Sequence, residues 1–384
     1  MKEHIIKIIN TYLKENEKTI DLLNKESDII QNIISIINDE IIINDNIEQY
    51  VVNTIVQYHI QRIKENENIY NQRKEKLCNL KKLDLPEQRS KEWYDLRKRI
   101  LTASSLGTAI DRGHFQTRDE LLLDKIVDKP YEQNEITEWG VKYEDVAIMF
   151  YEELYNVKVL EFGLIPHPTF HAFGASPDGI CDDTGNNEYV GRMVEIKCPP
   201  KRKFTKSVPS HYWMQVQGQL EVCDLDECDF FQVKIEEYDS FEDYCKDTFI
   251  QDDIKIEGRT HLNFPKGVVI TYKNDEKLSY VYCKLNQTNQ QYLDWIETQI
   301  KENIHEIKWW KIQRFECTLV LRDKEWWFDS VDKILKFYQD LQYYQKMENI
   351  DELKDKVAQS KKRKKKVQVM PLLDMQLISD DEDN

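Results

Sequence analysis

The order of apolar segments between residues 138 and 236 constrains the fold more than any other feature of this sequence. Residues 138–154 show the apolar spacing of a helix, with Ala147, Phe150 and Leu154 on one face. The following segments have the patterns of three strands, a helix and a strand: 159–165, 171–181, 193–198, 212–222 and 229–236. Antiparallel strands followed by a crossover helix and a return strand predict a mixed sheet flanked by helices. We therefore predict an α/β core.

Charged residues interrupt the apolar strands of this predicted core at Asp178, Glu195 and Lys197. Asp178 ends one strand-like segment, and Glu195 and Lys197 lie two positions apart on the next. Because residues two apart on a strand share a face, both side chains point into the space that Asp178 can reach. An isolated Glu-x-Lys pattern is common on exposed strands, so its significance depends on Asp178 and on the motifs around it.

Two carboxylates beside a lysine suit the hydrolysis of a phosphodiester. That reaction needs a divalent metal to polarise the phosphate, an activated water and stabilisation of the developing charge. Mg²⁺ prefers oxygen ligands in octahedral geometry, and Mn²⁺ is bound by the same ligand types. We therefore expect Asp178 and Glu195 to bind Mg²⁺, or Mn²⁺ in its place, with the backbone carbonyl of Ile196 as a further ligand.

Motifs on both sides of these residues point to one family of nucleases. The first motif resembles the entry motif of the phage-lambda-type exonucleases, which are also called YqaJ-like viral recombinases. It consists of Trp93-Tyr94-Asp95-Leu96-Arg97, followed by Leu101-Thr102-Ala103-Ser104. The matching motifs that follow, in order, are Trp139-Gly140-Val141-Lys142-Tyr143-Glu144, Ser176-Pro177-Asp178-Gly179, Glu195-Ile196-Lys197-Cys198-Pro199 and Tyr212-Trp213-Met214-Gln215-Val216-Gln217. The resemblance covers residues 87–240 and implies a restriction-endonuclease-like core of the PD-(D/E)xK superfamily.

The resemblance also implies an activity and roles for the matching residues. The family hydrolyses double-stranded DNA from an end, usually 5′ to 3′, in strand-annealing recombination or in the processing of replicated viral DNA. By this likeness Lys197 orients or deprotonates the attacking water or stabilises charge. Glu144 supports the metal site, and Gln215 positions the lysine or the water. The residues implied to hold the terminal 5′ phosphate are Arg97, Ser104 and Ser176. Arginine suits this task because its planar guanidinium matches phosphate oxygens.

Structural alternatives remain for several of these residues. Glu144 also fits a surface position on an amphipathic helix, and Gln215 and Gln217 also fit solvated helix positions. The histidines near the motifs are interpreted as structural: His167, His171 and His211. The basic residues after the Glu-x-Lys strand either contact the DNA backbone or are solvated: Lys201, Arg202, Lys203 and Lys206.

The flanking regions have different patterns from the predicted core at 87–240. Residues 1–86 have the spacing of amphipathic helices, and residues 241–355 suggest an α+β extension with a hairpin at 268–285 and a helix at 289–307. Residues 356–384 are expected to be a disordered tail, whose basic run at 361–366 suits a nuclear-import signal, a DNA tether or a solvated surface. The tryptophans of the extension suit either stacking on DNA bases or burial: Trp309, Trp310, Trp326 and Trp327.

The formal net charge of −16 is unusual for a chain that binds nucleic acid, because phosphate contacts come from Lys and Arg. Net charge describes the whole molecule, whereas DNA meets one face, so the charge does not exclude DNA. No stretch reaches the ~20 apolar residues that span a bilayer, so we expect no membrane contact and an intracellular location, cytoplasmic or nuclear. Expected partners are double-stranded DNA ends and a single-strand annealing protein, and the sequence leaves the oligomeric state open.

The expected function is that of a metal-dependent DNA exonuclease. A second hypothesis is a structure-specific endonuclease or nickase on the same fold, in which the terminal regions reshape the channel for the DNA end. A third is a DNA-binding recombination scaffold without activity, and the complete set of Asp178, Glu195 and Lys197 argues against it.

Overall fold

The structure, a computed structural model, describes residues 1–16, 26–41, 46–113, 115–127, 134–201, 204, 206–274, 277–300, 302–346 and 349–368. The chain divides into two compact units, Met1–Asn79 and Leu80–Asn384. The predicted boundary at residue 86 depends on Pro86, whereas the observed division falls before Leu80.

The N-terminal unit contains helices α1 (Lys2–Glu15), α2 (Glu26–Glu40) and most of α3 (Asn46–Lys81). Their buried residues recur every three or four positions, which is the spacing of one helix face. These buried residues form an aliphatic core of Ile5, Ile8, Ile9, Ile29, Ile33, Ile37, Val52, Val56 and Ile60. This is the helical N-terminal region that the sequence predicts.

The second unit is mixed α/β. Its helices are α4 (Lys91–Arg99), α5 (Leu106–Ala109), α6 (Arg118–Ile126), α7 (Glu135–Tyr155), α8 (Ser210–Cys223), α9 (Phe241–Lys246), α10 (Asn289–Gln299), α11 (Lys324–Tyr344) and α12 (Ile350–Gln368). Its strands are β1 (Leu101–Thr102), β2 (Val157–Leu160), β3 (Ile165–Pro166), β4 (Phe173–Ala175), β5 (Gly179–Gly185), β6 (Met193–Lys197), β7 (Glu227–Glu237), β8 (Phe249–Gln251), β9 (Ile254–Ile256), β10 (Lys266–Asn274), β11 (Lys277–Tyr282) and β12 (Ile304–Leu321).

The main sheet has seven strands in the order β11-β10-β12-β7-β6-β5-β2. β6 and β7 are parallel, and the other neighbouring pairs of this sheet are antiparallel. α8 lies between β6 and β7 in the chain, because a parallel pair needs a crossover connection. The other described strands form the small sheets β1-β4-β3 and β8-β9.

Helices pack on both faces of the main sheet because successive residues of its central strand point to opposite sides. Phe231 of β7 contacts Phe150 and Tyr151 of α7, with ring centroids 5.9 and 5.2 Å apart. Its neighbour Phe230 contacts Tyr212 of α8, with ring centroids 5.5 Å apart. The predicted mixed sheet flanked by helices is confirmed.

Two segments predicted as single strands are divided in the structure. Segment 159–165 contributes to β2 and β3, which belong to different sheets, and segment 171–181 contributes to β4 and β5. The break between β4 and β5 contains Pro177, which cannot donate a hydrogen bond to a neighbouring strand. Asp178 therefore lies in a connection between strands, immediately before β5.

The helix predicted at 289–307 is wrong beyond Gln299, where α10 ends. Ile304 and Ile307 are spaced like residues on one helix face, which favoured the helix. In the structure they belong to β12 and pair with Tyr272 and Ile270 of β10. Pairing with a strand distant in the sequence thus overrides the local pattern.

The α+β extension adds strands to the core sheet. The hairpin predicted at 268–285 is observed as β10 and β11, and β12 pairs with β7 along Trp310–Leu321. α12 is helical to Gln368, whereas disorder was predicted from residue 356. The side chains of residues 361–366, and residues 369–384 altogether, lie outside the described part of the chain. Among the described helices, none is long and apolar enough to cross a membrane.

The tryptophans of the extension pack against protein. Trp310 is fully buried in the core of the main sheet. Trp309 contacts Tyr244, with ring centroids 4.4 Å apart. The rings of Trp326 and Trp327 lie 5.0 Å from Trp213 and 5.4 Å from Phe173. Trp310 is therefore buried as one alternative expected, whereas Trp309, Trp326 and Trp327 are half-buried against other aromatic rings.

Candidate active site

Asp178 and Glu195 reach the same space from neighbouring strands. β5 and β6 are antiparallel, with Gly179 opposite Val194, so the residue before β5 lies close to Glu195. Asp178 Oδ2 accepts a hydrogen bond of 2.7 Å from the backbone N–H of Ile196, which holds the carboxylate against β6. Removal from water, and then the charge of Glu195, raise the pKa of Asp178 well above its usual value.

Glu195 is 0% exposed, and Lys197 lies beside it on the same face of β6 with its side chain 22% exposed. Lys197 Nζ donates a hydrogen bond to Glu195 Oε1. Gln215 of α8 donates from Nε2 to the same oxygen at 2.7 Å. Burial disfavours a charge on Lys197, but the charges of Glu195 and Asp178 outweigh burial and raise the pKa of Lys197. The ammonium form is therefore the stable one here.

A second glutamine of α8 contacts Glu195, and the sequence motif did not identify it. Gln219 Nε2 donates to Glu195 Oε2 at 2.7 Å. Gln217, the other glutamine of the motif, is buried but donates to the backbone oxygen of Leu321 and accepts from the backbone N–H of Asp323. Helical geometry explains the difference, because residues four apart share a face and residues two apart do not. That spacing from Gln215 is the signal that could have identified Gln219.

Glu144 of α7 is held by an arginine that sequence reasoning missed. Arg89 Nη2 donates a hydrogen bond to Glu144 Oε1 at 3.0 Å. Burial raises the pKa of Glu144 to about 6 against the opposing effect of Arg89, and the charges of Lys197 and Glu195 also act on it. Glu144 therefore lies within electrostatic reach of the Glu195 carboxylate. Arg89 precedes the N-cap of α4 and belongs to none of the recognised motifs.

A second polar group of side chains, the Arg97 cluster, consists of Trp93, Arg97, Ser104 and Ser176. The Arg97 guanidinium lies over the Trp93 ring at 4.3 Å from its centroid, and its Nη2 donates to Ser104 Oγ at 3.2 Å. Trp93 Nε1 donates to Ser176 Oγ at 3.0 Å. The structure thus brings together the residues expected at a 5′ phosphate and adds Trp93, which bridges Arg97 and Ser176.

Close packing around α8 places the Arg97 cluster next to the buried carboxylates. A Cβ at Gly218 would lie 3.2 Å from the Cβ of Ala103, so glycine allows α8 to approach the turn that carries Ser104. Lys125 supports the other side of the cluster by donating to the backbone oxygen of Arg97 at 2.6 Å. Burial, and then the Arg97 charge, lower the pKa of Lys125 to about 8.

The remaining candidates have other surroundings. His167 Nδ1 accepts from the backbone N–H of Phe170 at 3.1 Å, which is a structural contact. The ring of His211 packs on Tyr212 at 4.1 Å, and the Tyr212 ring lies 5.0 Å from Lys197 Nζ. The candidates on the surface are His171, Lys201 and Lys206. Arg202 and Lys203 lie outside the described residues.

The chemistry of the carboxylates fits a divalent metal. No group of three or more His, Cys, Asp and Glu side chains arranged for a metal occurs among the described residues. The candidate ligands are instead the oxygens of Asp178 and Glu195, with Glu144 nearby. Glu195 and Glu144 both raise the pKa of Asp178, so their negative charges repel one another in a poorly hydrated site. A hard cation such as Mg²⁺ binds oxygen donors and offsets this repulsion.

Comparison with known proteins shows that residues 92–226 match the model of the YqaJ-like viral recombinase domain. An uncharacterized protein of Acanthamoeba polyphaga mimivirus is 33% identical over 324 residues, which cover 75% of this chain and 58% of that protein. A protein of African swine fever virus is 26% identical over 160 residues, which cover 36% of this chain and 46% of that protein. The chain thus spans less than two thirds of the length of these viral relatives.

Solved exonuclease structures also resemble this chain. The alkaline exonuclease LHK-Exo from Laribacter hongkongensis is 20% identical with a TM-score of 0.39, and the match covers 70% of this chain and 99% of that chain. A phage related exonuclease from Haemophilus somnus is 15% identical with a TM-score of 0.33, and the match covers 64% of this chain and 93% of that chain.

Proposed function

We propose, from the YqaJ-like viral recombinase domain at residues 92–226, that the protein is a metal-dependent exonuclease. It hydrolyses double-stranded DNA from an end in the 5′ to 3′ direction and acts in viral-type recombination, replication or repair. The observation that carries the proposal is the convergence of Asp178, Glu195 and Lys197, in which the fully buried Glu195 is hydrogen-bonded by Lys197 and two amides. A single-strand annealing protein is the partner that this activity would serve.

The side chains of the candidate site have different roles in the proposed hydrolysis. Asp178 and Glu195, with the carbonyl of Ile196, would hold Mg²⁺ or Mn²⁺, which polarises the phosphate and acidifies the attacking water. Lys197 places a positive charge beside Glu195, where it stabilises the negative charge that develops on the phosphate or orients the water. Glu144 supports the same site from α7. Because these groups are fixed by the sheet and by α8, little reorganisation is needed during the reaction.

The Arg97 cluster accounts for the proposed preference for DNA ends. Ser176 belongs to the cluster and lies two residues before Asp178, so a 5′ phosphate bound there lies close to the catalytic carboxylates. The Arg97 guanidinium, which lies over the Trp93 ring, offers paired N–H donors to phosphate oxygens. A pocket that binds the terminal phosphate sets the distance from the DNA end to the bond that is cut. Cleavage then proceeds from the 5′ end.

The Arg97→Lys variant tests the terminal-phosphate pocket. Lysine keeps the charge but loses the paired donors and the planar group that lies over the Trp93 ring. We expect the ratio of cleavage rates on 5′-phosphorylated and 5′-hydroxyl duplexes to fall about tenfold, the value of one charge-assisted hydrogen bond. Arg99→Lys, an exposed position on the same helix, is the matched control and should keep the wild-type ratio. An unchanged ratio in Arg97→Lys would remove Arg97 from phosphate recognition.

The proposed activity itself is tested with two DNA substrates and added Mg²⁺ or Mn²⁺. A linear duplex with a 5′ phosphate and a label at the 3′ end of one strand should give a ladder of shortened labelled strands. Covalently closed circular DNA should stay intact, and EDTA should stop the reaction. Cleavage of the circle would instead indicate the endonuclease. Absence of cleavage by folded protein with either metal would leave the DNA-binding scaffold.

A further inference from the structure

We infer that Gln219 is a positioning residue that fixes the Glu195 carboxylate for metal binding and connects it to Ser176 in the Arg97 cluster. The inference rests on the proposed function, since it assigns Glu195 to the metal. Gln219 lies outside the recognised helical motif, which ends at Gln217.

The amide of Gln219 is oriented by two acceptors. Its Nε2 lies 2.7 Å from Glu195 Oε2 and 3.4 Å from the backbone oxygen of Ser176. The opposite orientation would place the amide oxygen against a carboxylate oxygen and a carbonyl oxygen, which is repulsive. Gln219 is 1% exposed, so water does not compete for these contacts. The amide is therefore held in the orientation that donates to Glu195.

Gln215 and Gln219 hold the two oxygens of Glu195 separately. Gln215 and Lys197 both donate to Oε1, whereas Gln219 donates to Oε2. With a donor on each oxygen the carboxylate cannot rotate without breaking a hydrogen bond. The i, i+4 spacing on α8 places both amides on one helix face, directed at one carboxylate. Partners of this kind orient a ligand before the metal arrives.

The second contact of Gln219 links the carboxylate to the Arg97 cluster. Ser176 receives a hydrogen bond from Gln219 on its backbone oxygen and one from Trp93 on its hydroxyl. Trp93 in turn lies under the Arg97 guanidinium. A continuous series of contacts therefore runs from Glu195 to the residues proposed to hold the 5′ phosphate. Movement of Gln219 should alter both metal affinity and the selection of the DNA end.

The test compares Gln219→Met with Gln217→Met in the full chain. Both residues are 1% exposed on α8, and methionine keeps the length of the side chain while removing its donor. Metal binding is followed without DNA, as the rise in melting temperature with added Mg²⁺ or Mn²⁺. We expect Gln219→Met to raise the half-saturating metal concentration about tenfold or more, the usual effect of losing a partner of a metal ligand. Gln217→Met should leave it within about twofold.

A second readout is the ratio of rates on 5′-phosphorylated and 5′-hydroxyl DNA at saturating metal, which should fall in Gln219→Met alone. If that variant does not unfold cooperatively, Gln219→Asn takes its place, because the shorter amide cannot reach Glu195. Metal affinity at the wild-type level in a folded Gln219 variant would overturn the inference, as would an equal loss in Gln217→Met. A wild type that neither metal stabilises would overturn both proposals. A wild type that binds metal without cutting DNA would overturn the proposed function alone.

Discussion

Replacing Lys197 with alanine is expected to lower the rate of DNA cleavage about 10³-fold, the effect of removing a fixed group that stabilises transition-state charge. The ammonium of Lys197 contacts Glu195 and is held in its charged form by Glu195 and Asp178. Alanine removes the positive charge that contacts Glu195 at the proposed site of hydrolysis. The loss should appear in kcat with little change in KM, because the charge acts on the transition state more than on bound DNA.

The control for this variant is Lys158→Ala. Lys158 lies on β2 at the edge of the same sheet, and its side chain is 61% exposed. Its replacement should leave the rate within about twofold of the wild type, as expected for an exposed position away from the site. Both proteins are assayed on 5′-phosphorylated linear duplex with saturating Mg²⁺. A folded Lys197→Ala protein that keeps more than a tenth of the wild-type rate would show that another group supplies this charge.

Replacing Phe231 with alanine is expected to lower the free energy of unfolding by about 3–5 kcal/mol, as for other fully buried aromatic residues. Phe231 is 0% exposed and packs between the rings of α7 and Phe315 of β12, 5.7 Å away. Phe315 lies in the region predicted as an extension, whereas Phe231 lies in the predicted core. We therefore expect the core and the extension to lose stability together and to unfold in one transition.

Urea unfolding followed by tryptophan fluorescence measures this effect, because every tryptophan lies between Trp93 and Trp327, within the second unit. Phe328→Ala is the matched control, since Phe328 is 79% exposed and should change the unfolding free energy by less than about 0.5 kcal/mol. A change below about 1 kcal/mol for Phe231→Ala, or separate transitions for core and extension, would contradict the packing described above.

Local patterns in the sequence predicted part of the arrangement that the structure shows around Glu195. The two-residue period of a strand puts Glu195 and Lys197 on one face, and the motif before β5 brings Asp178 to that face. Ser90 is a typical N-cap residue, and its hydroxyl accepts a hydrogen bond from the backbone N–H of Trp93 at the start of α4. These features depend on residues close in sequence, so the sequence predicts them directly.

Contacts between segments distant in the sequence decided the strand β12 and the arrangement of the Arg97 cluster. Ile304 and Ile307 fit a helix by their spacing, and only pairing with β10 makes them a strand. Ser176 and Trp93 meet through a hydrogen bond that no local period indicates.

Tertiary contacts also distinguish the two glutamines of the helical motif. Gln215 donates a hydrogen bond to Glu195, whereas Gln217 is hydrogen-bonded to the backbone of Leu321 and Asp323, between β12 and α11. The sequence by itself determined which residues share a strand face or a helix cap, because those depend on backbone geometry. The tertiary structure alone decided which face meets which partner, because that depends on burying apolar surface and pairing most buried polar groups at once.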